Sequence, residues 1–171
     1  CVQPAMMPSI NAATVRVLDA AGIQTLVAAN AGCCGAVKFH LNDQDGGLAQ
    51  MRDNIDAWWP HVEHGQVEAI VMNASGCGVT VKEYGHLLQH DAAYASKAAR
   101  ISALTRDLSE LLPDIARALQ GKVKIDGQTR QLAFHPPCTL QHGQQLRGGV
   151  EQHLNALGFS VRVAKIGRAH V

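Results

Sequence analysis

The residues of this chain best suited to chemistry are its five cysteines. Cys33 and Cys34 are adjacent and are followed by glycine, Cys1 precedes them, and Cys77 lies further along between two glycines. Adjacent cysteines rarely bond to each other, because the ring that they would close is strained. Two thiolates on one tight turn are better suited to binding a soft metal centre. The pattern therefore predicts one site built from Cys1, Cys33, Cys34 and Cys77, whose sulfurs should converge in the fold.

The identity of that centre stays open at this level. Four thiolates satisfy an iron–sulfur cluster of the [4Fe–4S] type, and four thiolates also satisfy a zinc ion. The glycines beside Cys33, Cys34 and Cys77 favour a metal centre of either kind, since they let the backbone approach it closely. The Cys33–Cys34 pair could instead be a thiol–disulfide catalyst, which needs a reactive thiolate and a resolving partner. The alternative without any metal or redox role is that these cysteines are buried apolar thiols that only pack in the core.

Cys138 starts a second cysteine-bearing segment. It follows two prolines and opens a predicted helix, where the helix dipole favours a thiolate. We therefore regard Cys138 as a candidate ligand of a second centre, with its partner cysteines expected just past Ala164.

Composition excludes several classes of protein. The chain has 171 residues, of which 47% are hydrophobic, and its net charge is +1. A balanced charge argues against a dedicated nucleic-acid surface, and the apolar runs are too short to cross a bilayer. An odd number of cysteines, two of them adjacent, does not suggest a disulfide framework. Free thiolates persist in reducing compartments, so we expect a cytoplasmic protein.

Both ends of the sequence are unusual. It opens on a candidate ligand, Cys1, and it closes on IGRAHV at residues 166–171, which does not continue the preceding pattern. We interpret residues 166–171 as a non-native tail. The sequence would then be an interior fragment of a longer protein.

Helix and strand patterns alternate along the chain, which predicts an α/β fold with a largely parallel sheet and helices on both faces. We expect Pro60 to end the second helix. Helices are predicted over 9–21, 47–58, 79–89, 92–104, 107–120 and 139–157, and strands over 23–29, 68–73, 131–135 and 159–164. The cysteines fall in loops at strand ends, where open α/β sheets place their sites.

An internal repeat divides the chain. Cys1 and Cys138 are each followed by a helix, a glycine and then a strand, with Gly22 and Gly158 at equivalent places. The repeat predicts a first cysteine-rich unit at 1–120, a linker or hairpin at 121–130, and the beginning of a truncated second unit at 131–165.

At these residues the sequence resembles the cysteine-rich CCG domain family that is shared by heterodisulfide reductase subunits and related electron carriers. The flanking strings are similar to those of iron–sulfur subunits of bacterial glycolate oxidases. They are CVQP at 1–4, NAAT at 11–14, AGCCGA at 31–36, NIDAWW at 54–59, ASGCGVTVKEYGH at 74–86 and HPPCTLQHG at 135–143. The chain departs from the wider family at Ala74, where many members carry another cysteine.

The resemblance implies an iron–sulfur electron-transfer subunit with two CCG domains, preceded by a ferredoxin-like region that this sequence lacks. Cys1, Cys33, Cys34 and Cys77 would hold a cluster, and Cys138 would belong to the second unit. Electrons would come from a flavin-containing subunit that oxidises glycolate to glyoxylate. They would pass, within a complex that has a further subunit, to a membrane quinone or another acceptor at the inner face of the cytoplasmic membrane.

The same resemblance leaves other functions open. Related complexes that oxidise lactate or glycerol 3-phosphate use this domain as well, and a zinc-bound unit would be a scaffold for the complex and not an electron carrier. The sequence has no glycine-rich dinucleotide fingerprint and no recognisable flavin site. Both absences fit a carrier subunit better than the dehydrogenating subunit.

Overall fold

The computed structural model describes residues 2–127 and 130–164. Cys1 and the tail at 166–171 therefore lie outside the described residues. The helices are α1 (Val2–Met6), α2 (Pro8–Ala20), α3 (Ala36–His40), α4 (Gln44–Glu63), α5 (Ser75–Lys82), α6 (Tyr84–Leu87), α7 (Ala95–Leu104), α8 (Leu112–Leu119) and α9 (Gly149–Ala156). The strands are β1 (Ile70–Met72), β2 (Thr105–Asp107), β3 (Gln131–Phe134) and β4 (Ser160–Val163). A 3-10 turn covers Leu108–Leu111, and a π-helical turn covers Thr139–Gly143.

All four strands that the structure describes pair in parallel. β1 pairs with β2, with Met72 opposite Asp107, and β3 pairs with β4, with Phe134 opposite Val163. Each pair is joined by helical segments, as parallel strands require. The α/β class and the parallel pairing are confirmed. The strands form two separate two-stranded sheets and not one continuous sheet.

The expected strand at 23–29 is wrong, since residues 23–28 have no regular secondary structure. A β-rich run becomes a strand only where a neighbour offers a hydrogen-bond ladder, and among the described residues β1 pairs with β2 alone. Conversely, the sequence pattern missed β2. Its three residues include the polar Thr105 and Asp107, and a run that short shows no usable alternation.

Pro60 lies inside α4, which continues to Glu63, so the expectation that Pro60 ends the helix is wrong. Proline removes one backbone donor, but its φ angle suits a helix. The helix ends soon afterwards, where the N–H of Gln66 donates to the carbonyl of His61 at 2.9 Å and Gly65 has a φ of 65°. At its other end Asp43 caps the helix, accepting from the N–H of Gly46 at 3.0 Å.

The predicted helix at 139–157 is divided in two. The π-helical turn ends at Gly143, and α9 begins after Gly148, which has a φ of 73°. A glycine in the left-handed region interrupts a helix, because helical residues have negative φ.

The main core lies between α4 and the helices of the first crossover, α5 to α7. The side chains of Met51, Ile55, Val81, Tyr84 and Ile101 are fully buried there. A second, smaller cluster joins α2 to α8 through Leu18, Ile115 and Leu119. None of the described helices combines the length and the apolar character needed to cross a lipid bilayer.

Candidate functional site

The Cys33–Cys34 turn lies at the start of α3. Cys34 is buried at 5% exposure, whereas Cys33 is half-buried. Gly35 follows with a φ of 86°, and a Cβ at this position would lie 2.5 Å from the carbonyl oxygen of Gly47 on α4. Only glycine accommodates both the left-handed backbone and this close approach. The Cys-Cys-Gly sequence therefore gives a tight turn that is pressed against the beginning of α4.

Cys77 comes from the other side of the site. It lies in the first turn of α5, just after the carboxyl end of β1, and is half-buried against the same core cluster as Cys34. Its neighbours Gly76 and Gly78 leave room for the segment after Cys138, because a Cβ on Gly78 would lie 2.9 Å from Nε2 of Gln144. Cys77 thus follows the carboxyl end of a parallel strand, where α/β folds place their sites, whereas the Cys33–Cys34 turn follows the irregular segment 23–28.

The sulfurs of Cys33, Cys34 and Cys77 interact with one another. A hydrogen bond from the Cys77 thiol lowers the pKa of Cys34, and backbone N–H groups, that of Ala36 among them, act in the same direction against burial. The same hydrogen bond, together with burial, raises the pKa of Cys77. The two thiols therefore titrate as a coupled pair, in which one pKa lies below and the other above that of an isolated thiol.

The five candidate cysteines are placed as follows. Cys33, Cys34 and Cys77 come together although α4 and β1 lie between them in sequence, and the structure records them as free thiols. Cys138 is exposed, and its thiol is also free. Cys1 lies outside the described residues.

Within 2–127 and 130–164, no three His, Cys, Asp or Glu side chains are arranged around a single metal ion. The candidate donors that the structure brings together are thiols, which suit an iron–sulfur cluster and a zinc ion alike. Three soft sulfurs on glycine-flanked turns are the donor chemistry that such a cluster requires, with one further thiolate needed to complete four.

Two residues that the sequence patterns did not single out hold the backbone of the cysteine turn. Asn54 on α4 accepts from the N–H of Gly32 at 2.7 Å and donates to the carbonyl of Cys33 at 2.6 Å. Tyr84 donates its hydroxyl hydrogen to the carbonyl of Cys34 at 2.9 Å, and burial raises the pKa of that hydroxyl. The sequence signal for Asn54 is its place on the apolar face of α4, three residues after Met51 and four before Trp58.

The segment after Cys138 packs on the helix that bears Cys77. The hydroxyls of Thr139 and Ser75 share a hydrogen bond of 2.7 Å. Gln144 donates to the carbonyl of Ser75 at 3.0 Å and to the carboxylate of Asp107 at 2.9 Å. The segment after Cys138 is thus seated on α5 and on the end of β2.

Comparison with known proteins relates this site to a family. Residues 1–82 match the cysteine-rich domain family CCG. The chain is 55% identical over 94% of its length to the glycolate oxidase iron–sulfur subunit of Escherichia coli, of which it covers 38%. It is 31% identical over 86% of its length to a probable glycolate oxidase iron–sulfur subunit of Bacillus subtilis, of which it covers 30%. It is 23% identical over 81% of its length to lactate utilization protein A of Bacillus pumilus, of which it covers 54%.

The chain thus spans well under half the length of the two glycolate oxidase relatives. No solved structure matches it. The match at 1–82 includes Cys33, Cys34 and Cys77, the cysteines that the fold brings into contact. Residues 1–82 therefore match the CCG family of cysteine-rich domains, and the chain resembles, over nearly its whole length, the iron–sulfur subunits of bacterial glycolate oxidases.

Proposed function

We propose that this chain is the electron-carrying part of an iron–sulfur subunit in a glycolate oxidase, that is, a glycolate dehydrogenase complex. The observation that carries the proposal is the contact among Cys33, Cys34 and Cys77, three soft sulfur donors presented by two separate elements. The name of the Escherichia coli relative, with its 55% identity, supports both the cofactor and the substrate.

In this proposal Cys1 completes the set of four thiolates around a [4Fe–4S] cluster. Cys138 belongs to a second centre, whose unit begins at about residue 131, after a first unit at 1–120 and a linker at 121–130. The bond between Thr139 and Ser75 supports a close approach of the two units, because it joins the residue after Cys138 to the first turn of α5.

The residues of this chain bind the cofactor and shield it from water, and the partner subunit carries out the oxidation of the substrate. When bound, the cluster supplies one-electron uptake and release. Cys34, at 5% exposure, keeps its side of the site out of water, and its interaction with the N–H of Ala36 favours added negative charge. A flavin-containing subunit oxidises glycolate to glyoxylate, and the electrons leave, through a further subunit of the complex, for a quinone or other acceptor at the inner face of the cytoplasmic membrane.

Metal analysis of the full-length protein, purified without oxygen, tests the cofactor. We expect iron and acid-labile sulfide together with visible absorption. A colourless protein that contains zinc would indicate a zinc-stabilised scaffold and not an electron carrier. A metal-free protein that forms a Cys34–Cys77 disulfide would point to thiol–disulfide chemistry instead.

Cys34→Ser in the full-length complex tests the division of labour. We expect the flavin to be reduced by glycolate at its normal rate while reduction of the acceptor falls at least about tenfold, since only the onward path is interrupted. Ala31→Ser is the matched control, because it adds a hydroxyl to the same loop at an exposed position and removes no sulfur. Unchanged acceptor reduction with intact iron content would remove Cys34 from the ligand set.

Lactate is the second candidate substrate, because a more distant relative is named lactate utilization protein A. Identity of 55% against 23% favours glycolate. Turnover of the purified complex with glycolate and with lactate, compared by kcat/KM, decides between the two.

A further inference from the structure

The core beneath the cysteine turn contains a buried polar pair, Asn54 and Tyr84. Their exposures are 1% and 0%. Their surroundings are apolar, with Met51, Ile55 and Val81 in the same cluster. Burying an amide and a phenol costs free energy unless each forms hydrogen bonds, so an apolar pair would pack this core more cheaply. The hydrogen bonds that these two side chains make therefore indicate their purpose.

Those hydrogen bonds go to the backbone of three consecutive residues. Asn54 binds the N–H of Gly32 and the carbonyl of Cys33, and Tyr84 binds the carbonyl of Cys34. The two side chains also bond to each other, with the Asn54 amide donating to the Tyr84 hydroxyl at 3.3 Å. In the described part of the chain, every side-chain hydrogen bond recorded for this pair goes to the cysteine turn or to the other member.

We propose that Asn54 and Tyr84 are positioning residues that fix the peptide planes of the cysteine turn and so set the direction of both cysteine sulfurs and the redox potential of the centre that they bind. The proposal deepens the proposed function and, for the potential, rests on it. Peptide orientation determines where a side chain leaves the backbone, and hydrogen bonds to the ligating sulfurs tune a cluster's potential.

Tyr84 acts on the Cys34 sulfur through the backbone of Cys34 and Gly35. With the Cys34 carbonyl held by the Tyr84 hydroxyl, the following peptide is fixed, and Gly35 then turns the chain into α3, where the N–H of Ala36 interacts with the Cys34 sulfur. An N–H that points at the sulfur stabilises the more negative, reduced state. Loosening the clamp weakens this hydrogen bond and should lower the potential.

Tyr84→Phe is the direct test in the full-length protein, because it removes only the hydroxyl and keeps the ring that stacks on Trp58 at 6.5 Å. Tyr94→Phe is the matched control, since the Tyr94 hydroxyl bonds to Asp56 on the surface and does not touch the turn. We expect amide hydrogen exchange of residues 32–36, measured without cofactor, to become about tenfold faster in Tyr84→Phe only. With the cofactor, we expect a lower midpoint potential or an altered EPR spectrum.

Two further variants separate positioning from general stability. Asn54→Asp keeps the acceptor for Gly32 but places a carboxylate oxygen against the carbonyl of Cys33, so it should free the turn at least as much as Tyr84→Phe does. Ile115→Val trims the separate cluster around α8 and serves as a control of similar global destabilisation.

The exchange rates and midpoint potentials of these variants decide whether Asn54 and Tyr84 position the turn. Faster exchange confined to 32–36, together with a shifted potential, supports the proposal. Wild-type exchange and potential in Tyr84→Phe, or equal changes in Ile115→Val, overturn it. If the wild-type protein holds no iron, the proposed function fails, and the exchange measurement still decides whether Asn54 and Tyr84 position the turn.

Discussion

Gly35→Ala is the substitution whose cost the structure predicts in most detail. An alanine here must adopt a φ of 86°, which costs an L-residue about 1–2 kcal/mol. Its Cβ would also lie 2.5 Å from the Gly47 carbonyl oxygen and 3.1 Å from Cγ of Met51. The first of these atoms is backbone and cannot rotate away. Forcing extra volume into such a contact costs about 1–3 kcal/mol.

The two costs together predict that Gly35→Ala lowers the free energy of unfolding by about 2–5 kcal/mol. Gly22→Ala is the matched control, because Gly22 has nearly the same φ, 83°, with no atom within 4 Å of an added Cβ. It should lose only the backbone contribution, about 1–2 kcal/mol. The difference between the variants isolates the close approach of the cysteine turn to α4.

Urea denaturation followed by far-UV circular dichroism measures both values. Iron content of the full-length protein gives an independent measure, since Gly35→Ala displaces Cys34 and Gly22→Ala does not. Equal destabilisation by the two variants would refute the reasoning, because it would mean that the turn can move off α4 at no cost.

Two further predictions concern other contacts. Gly78→Ala should weaken the seating of the second repeat on α5, because the new Cβ would lie 2.9 Å from Nε2 of Gln144. That atom ends a flexible side chain, so we expect a loss of only about 1 kcal/mol with faster hydrogen exchange at 139–146, and unchanged exchange there would contradict the contact. The Arg52 guanidinium, which binds Asp91 at 2.8 Å, lowers the pKa of that carboxylate. Because the pKa is lowered in the folded state, the ionised Asp91 stabilises the fold above the unfolded-state pKa of about 3.9, and this stabilisation is lost as the pH falls. The urea midpoints of wild type and Asp91→Asn should therefore differ at pH 7 and converge towards pH 3. If the difference between the two urea midpoints did not change with pH, the ion pair between Arg52 and Asp91 would not be its cause.

The sequence predicted the α/β class because helix and strand periodicities alternate over most of the chain. It could not predict which strands pair. The β-rich run at 23–28 found no neighbour, and the polar strand Thr105–Asp107 became the partner of β1. Pairing depends on which edge is free in the folded chain, and no local pattern records that.

For the site, residue type and glycine spacing selected Cys33, Cys34 and Cys77, whose sulfurs interact in the fold, while their role as ligands stays a prediction. They did not predict the support beneath them. Asn54 looks like a polar interruption of an apolar helix face until its partners, Gly32 and Cys33, are seen at 2.7 and 2.6 Å. Hydrogen bonds between distant segments leave no periodic signal in a sequence, so such residues become visible only in the fold.

The fully buried core around Met51, Ile55 and Ile101 has a consequence for the order of assembly. Small metal domains often stay unfolded until the metal arrives, because the ligands supply most of their folding free energy. Here the fully buried side chains are supplied by the polypeptide itself, and the elements α4 and β1 lie between the Cys33–Cys34 turn and Cys77 in the chain. We therefore expect the chain to fold before its metal centre is inserted, and the centre would then enter a preformed turn in which Cys33 is still half exposed to solvent.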